Sequence, residues 1–369
     1  MTIRILLATF LAGLSTAAHG HKPPTTHDEV AGKPALKAMA SDLKATTVVA
    51  TIEQPMPDGR NVLWCATAPL AWHELAEAMG GPLSAAAVGE GAAMVAALNK
   101  TASERADLDD ASFVALGGFG RDGILKQIRD ALQERFKGAA SPSLLPPAIG
   151  PDEILAYSYL FKHLEFAEPL IRDERGLLFQ GAKVASFGVW SNDRVENWGR
   201  IAGQVSIHRY ESPTDWVVEL KTKATDDRLI IARLDRKPTL GETVSAALAS
   251  AASGKPESMK KADWLVVPLL NFDVTRVYGE LGGVVLTGSK ASGLVNTAIQ
   301  NIRFRLDEKG AVLKSEMVFG VTAAPVVRQP RLMVCDGPFL IAMARAGAER
   351  PYFAAWIDNP ELLVPFEKK

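Results

Sequence analysis

Three observations predict an α+β fold with helices in the first half of the chain and strands in the second. Between Thr67 and Phe136 apolar residues recur at helical spacing, most clearly in the stripe Leu125, Ile128, Leu132 and Phe136. From Ile154 onward, short runs rich in aromatic and branched residues alternate with turns. The last two runs, 339–344 and 352–357, flank Gly347 and read as a C-terminal β-hairpin beside a large mixed or antiparallel main sheet. No internal repeat or low-complexity block interrupts this order. With 369 residues, 47% hydrophobic and 22% charged, the composition is that of an ordinary globular protein.

The first twenty residues read as a cleavable export signal. Arg4 supplies a positive charge, residues 5–14 are nearly all apolar, and Ser15, Thr16, Ala17, Ala18 and Gly20 are small. The apolar run is shorter than the ~20 residues a membrane span needs. The mature protein is therefore expected outside the cytoplasm, extracellular or periplasmic. Residues 21–58 are polar and proline-rich and are expected to be poorly ordered. Residues 59–369 are expected to form one domain.

Within that domain, residues 61–64 read as a strand. A helix follows, with Thr67 as its cap and Trp72, Leu75 and Met79 on one face, stopped by Gly80, Gly81 and Pro82. The alanine-rich stretch 84–97 predicts a second helix, and 124–136 a third. Prolines 142, 146 and 147 make 141–151 a loop. Strands are expected over 154–161, 184–190, 205–210, 216–220 and 229–234. Thr239 and Glu242 then form a capping-box pattern ahead of Val244, Ala247 and Leu248. Further strands are expected over 264–267, 272–277, 302–306 and 313–319.

The search for chemistry is mostly negative. A net charge of -1 gives no electrostatic footprint for nucleic acid or an anionic membrane, so neither is expected as a partner. Cys65 and Cys335 cannot make a disulfide framework; they read as two buried free thiols or as one bridge. Gly118, Gly120 and Gly123 match the dinucleotide fingerprint and precede a helix, which keeps a nucleotide-dependent enzyme as a remote alternative. No parallel sheet surrounds the match and no second strand ends in an acid at the right distance. His73-Glu74 opens like a zinc-protease helix, but Glu77 stands where the second histidine is needed. Glu165, Glu168, Asp173 and Glu174, with Arg172 and Arg175, read as a solvated charged face. No metal, organic cofactor or enzymatic activity is expected.

The second half carries a family resemblance. Residues 216–220, then Leu229-Ile230-Ile231-Ala232-Arg233-Leu234, then Thr239-Leu240 opening a helix, come in an order that resembles the serpins. Leu265-Val266-Val267-Pro268-Leu269-Leu270-Asn271-Phe272 looks like the serpin segment carrying a proline and a phenylalanine between two paired strands, and Tyr278 and Leu281-Gly282 have counterparts there. Residues 302–306 end in Asp307-Glu308-Lys309-Gly310, similar to the acidic turn that starts a serpin reactive-centre loop. Cys335-Asp336-Gly337-Pro338-Phe339 is similar to the serpin signature, with Asp336, Pro338 and Phe339 in place and Gly337 departing from it. Phe353, Asn359-Pro360 and Asn61-Val62-Leu63-Trp64 also fit. The resemblance covers most of 200–360 and is weak over 84–197, where the chain looks too short for the helix that crosses the front of the main serpin sheet.

This resemblance implies a monomeric serpin-like fold, a loop hinge at Glu308, Gly310, Ala311 and Leu313, and a serine or cysteine protease as partner. Counting along the loop places the attacked bond at Ala324-Pro325, with Arg328-Gln329 as the alternative. A proline after the bond disfavours cleavage, because its ring fixes φ and removes the N–H. Inhibitory serpins trap a protease by inserting this loop into the main sheet, and small hinge residues make that fast. Here Leu313 and Met317 are bulky, yet Ala311, Leu313, Ser315 and Met317 share one face of a strand. The residues therefore favour a non-inhibitory protein whose loop already sits in the sheet, with covalent trapping as the alternative.

Overall fold

The computed structural model describes residues 29–30, 33–86, 88–137, 140, 142–190, 197–309 and 330–367. The fold is mixed α and β, with few helices and large sheets. Its centre is an eight-stranded sheet in the order Glu257–Ser258, Val205–Ser212, Asp215–Leu220, Asp227–Arg233, Phe339–Arg345, Pro351–Ile357, Asn61–Cys65 and Thr46–Val48. Every neighbouring pair is antiparallel except the last, which is parallel.

Continuous apolar runs place the central strands. Pro351–Ile357 is buried at every position, as is Asn61–Cys65. A strand with no polar face must be covered on both sides. One register row, Ile231, Ile341, Ala355 and Leu63, crosses four strands and is wholly buried. Its hairpin closes where Gly347 takes a positive φ of 80°. The helix Leu240–Ala252 packs on this sheet and is capped as its sequence predicts: Glu242 N–H donates to Thr239 Oγ1 at 3.1 Å, and Thr239 N–H donates to the Glu242 carboxylate at 3.1 Å.

A four-stranded sheet, Leu332–Val334, Trp264–Pro268, Ala182–Val189 and Ile171–Phe179, closes one side of the core. Two of the four remaining sheets both bond to Thr67, through Ser158 and Gln300, and are called the split sheet. One has three strands, Ile299–Leu306, Leu270–Val277 and Leu36–Met39; the other has two, Phe113–Phe119 and Ile154–Leu160. The strands 264–268 and 270–277, consecutive in the chain, thus lie in different sheets and do not pair with each other.

Several expectations are corrected. The helix Ile124–Phe136 packs Ile128, Leu132 and Phe136 against Val114 and Tyr157 of the two-stranded part. The 84–197 region therefore does supply a helix across one part of the split sheet. The predicted second helix is shorter, Glu90–Lys100, because Ser84–Ala85 pairs with Val285–Thr287. The charged stretch near residue 173 is the strand Ile171–Phe179, with Asp173 buried. Within the segment expected to be poorly ordered, Leu36–Met39 and Thr46–Val48 are strands, and Val48, Val49 and Ala50 are core residues. The apolar groups there are too few for a pattern, and long-range pairing decides the outcome.

Candidate functional site

The split sheet and the turn at its top form the candidate site. Thr67 and Gln300 build its floor. Thr67 is not the helix cap; Ala66 holds that position and caps with no side chain. Instead the Thr67 hydroxyl accepts from Gln300 Nε2 at 2.8 Å, and the Thr67 carbonyl accepts from the Ser158 hydroxyl. Gln300 Nε2 also reaches the Cys65 carbonyl at 3.3 Å, and its Oε1 accepts from the Tyr278 hydroxyl at 2.6 Å. Burial raises the Tyr278 phenol, which therefore stays a donor. Gln300 belongs to Ile299–Leu306 and Ser158 to Ile154–Leu160, so both parts of the sheet rest on one residue.

The two strands do not pair with each other. Ile154–Leu160 has one partner, Phe113–Phe119, and Ile299–Leu306 has one partner, Leu270–Val277, among the described residues. A strand placed between them needs two inter-strand spacings, about 10 Å in total.

At the top, the turn after Leu306 is clamped. Asp307 accepts from Arg305 Nε and Nη2 at 3.0 and 2.6 Å and from Lys309 N–H at 3.1 Å. The Glu308 carbonyl accepts from Leu170 N–H at 2.5 Å, and the Lys309 carbonyl from Phe166 N–H at 3.0 Å. Arg172 Nη1 donates to the Glu308 carboxylate at 3.1 Å. The residues read as a solvated charged face thus include the partner of the predicted hinge residue Glu308. The other predicted hinge and bond residues, Gly310, Ala311, Leu313, Ala324, Pro325, Arg328 and Gln329, lie outside the described residues.

Where the chain returns, Arg331 is held by Asp263. Its Nε and Nη2 lie 3.2 and 2.7 Å from the Asp263 carboxylate, its N–H donates to the same group at 3.1 Å, and Nη1 reaches Glu257 at 2.8 Å. Burial works to raise the Asp263 carboxyl; hydrogen bonds from Arg331 and from the Lys260 and Arg331 backbone outweigh it and hold it low. The signature lies just beyond. Phe339 is fully buried and meets Phe179 edge-on at 6.1 Å, Asp336 accepts from Arg233 at 2.5 Å, and Pro338 is half-buried. A Cβ at Gly337 would sit 3.0 Å from Arg233 Nη2, so the guanidinium would have to shift slightly to admit one.

The remaining motifs resolve differently. Gly118 belongs to the strand Phe113–Phe119, which pairs antiparallel with Ile154–Leu160, and Gly120 to Gly123 is the turn opening the helix Ile124–Phe136. A dinucleotide unit needs a parallel neighbour. A Cβ at Gly120 would lie 2.0 Å from the Gly150 carbonyl, which accounts for that glycine. Glu74 is paired with Arg105. Cys65 and Cys335 are both free and buried, and burial pushes both thiols up. Sequence patterns missed Gln300, Ser158 and Asp263, each a single polar residue in an otherwise apolar or charged run, and gave Arg172 and Tyr278 no such role.

No family model and no curated protein matches the chain. Among solved structures, it is similar to Serpin48, described as a highly specific serpin of the insect Tenebrio molitor. That match has 11% identity and a TM-score of 0.42, and covers 80% of this chain and 91% of the other. It is also similar to thyroxine-binding globulin in complex with thyroxine, at 14% identity and a TM-score of 0.37, covering 65% of each chain. A human thyroxine-binding globulin structure gives 13% and 0.38, covering 65% of this chain and 64% of the other.

Proposed function

We propose that the chain is an exported serpin-like protein of the serine-protease-inhibitor superfamily that does not inhibit, because the gap in its split sheet is the place of its own segment after Lys309. The observation that carries this reading is that Ile154–Leu160 and Ile299–Leu306 each have one described partner strand and both bond to Thr67, through Ser158 and Gln300. A partly buried backbone N–H or C=O left unpaired costs about 1–3 kcal/mol, which favours a further strand beside each of these two. The segment beginning at Gly310 leaves the turn at the top of this gap, and Ala311, Leu313, Ser315 and Met317 would face one way in a strand. Leu313 and Met317 suit a strand in permanent residence better than one that must enter fast through close-packed neighbours.

A protease test separates this reading from covalent trapping. Trypsin is the probe, since Arg328-Gln329 offers it a bond. The non-inhibitory reading expects nicked chain and free, active trypsin on a denaturing gel. A trypsin complex that survives denaturation would establish trapping instead and make Arg328 the first residue to substitute. N-terminal sequencing of the secreted protein, with a start near residue 21, tests export separately.

A further inference from the structure

The strand Leu36–Met39 closes an edge of the sheet with which no other described strand pairs. It pairs in parallel with Leu270–Val277, Leu36 beside Phe272, Lys37 beside Asp273, Ala38 beside Val274 and Met39 beside Thr275, and Ala40 N–H donates to the Thr275 carbonyl at 2.7 Å. The other side of Leu270–Val277 is taken by Ile299–Leu306. The hold on this short strand is thin. Leu36 and Met39, its two largest apolar side chains, are 38% and 37% exposed, and Lys37 is exposed too. The Lys33–Glu367 ion pair just before it is at the surface, where such pairs contribute little.

The next residues are fixed much more firmly. Glu361 accepts from Lys44 N–H at 2.7 Å, from Ala45 N–H and from the Thr46 hydroxyl at 2.6 Å. Arg60 donates to the Lys44 and Thr46 carbonyls, both at 2.7 Å, and Asn359 donates to the Ala45 carbonyl at 2.8 Å. A weakly held strand therefore precedes a firm anchor, with residues 40–43 as the link between them. Four extended residues reach about 13–14 Å.

A second observation sits on the same outer face. Met39 shares that face with Thr275, and therefore with Val277 and its partner Ile299, which are 54% and 37% exposed. An exposed apolar group beside a detachable edge strand is a surface that a second copy can cover.

We propose that Lys33–Met39 is a displaceable strap, and that when it lifts, the vacated edge of Leu270–Val277 takes the same strap from a second copy of this chain. The occupant is set by the register already seen: the second copy's strap remakes every ladder bond, and only the link 40–43 changes course. The exchanged pair also brings the Met39, Val277 and Ile299 faces together.

Two full-length single variants, Lys37→Cys and Asp273→Cys, test this when incubated together at high concentration and then mildly oxidised. The expected result is a disulfide-linked dimer, with residues 37 and 273 joined between chains by peptide mapping. Such a dimer should be absent when the two are mixed only at the moment of oxidation. The double variant at low concentration should close within one chain. A mixture that forms no 37–273 link while the double variant closes would overturn the exchange; a double variant that fails to close would overturn the strap itself. Because Asn301 Nδ2 donates to Asp273 at 2.6 Å, the pair Met39→Cys and Thr275→Cys serves as the second set.

Discussion

The eight-stranded sheet and the split sheet are built on opposite rules. Ile231, Ile341, Ala355 and Leu63 form a dry row across four strands, and their order is dictated by continuous apolar runs. The split sheet is joined at its base by hydroxyls and an amide, Ser158, Thr67, Gln300 and Tyr278. Apolar packing is non-directional and strong, so the first sheet is a fixed platform. A hydrogen-bonded join can be remade around a different neighbour, which suits a place where a strand is added. The difference teaches that this fold keeps its polar, adjustable contacts where the sheet is incomplete.

The sharpest way to break the comparison is to injure the platform. Phe339→Ala removes a fully buried ring beside Phe179, and a loss of about 3–5 kcal/mol is expected from chemical denaturation. Gln300→Leu should cost less, about 1–3 kcal/mol, by leaving Thr67, the Cys65 carbonyl and Tyr278 without their shared partner. Faster hydrogen exchange confined to Ile299–Leu306 and Ile154–Leu160 should accompany it. A loss spread evenly over the eight-stranded sheet would contradict the division drawn here.

Titration gives a smaller effect within the platform. Burial works to raise the Glu219 carboxyl, but His208 at 3.1 Å and Arg228 at 2.8 Å outweigh it and hold its pKa at about 2. A depressed folded-state pKa means the stabilisation is present above the ordinary glutamate value near ~4.3 and is lost as pH falls towards 2. Glu219→Gln should therefore flatten the fall in stability over that window by on the order of 1 kcal/mol, discounted for partial exposure. Glu308→Gln, which weakens only the Arg172 contact, should change stability by less than about 1 kcal/mol.

The same division explains what could be read in advance. The hairpin at Gly347, the capped helix after Thr239 and the strands between 205 and 234 were legible because period and capping chemistry are local. Ile171–Phe179 was not, since Asp173 is held by Ser186 at 3.0 Å as well as by neighbouring Arg175, and Arg172 is engaged by Glu308. Ser186 and Glu308 lie outside the run, and a charged run carries no mark of such pairing. Thr67 misled for a related reason: a threonine before a helix signals a cap, but Gln300, 233 residues later, claims its hydroxyl. Glu308 and the residues Asp336, Pro338 and Phe339 were singled out by resemblance, not by period.

The central claim is that the gap between Ile154–Leu160 and Ile299–Leu306 has no insertion left to drive. Thermal melting before and after limited proteolysis within residues 321–331 tests it most directly. A protein whose segment already fills the gap gains no new strand on cleavage, so the nicked and intact forms should melt at nearly the same temperature. A sharp rise in melting temperature after the cut would mean that the strand enters only then, and would contradict the non-inhibitory reading.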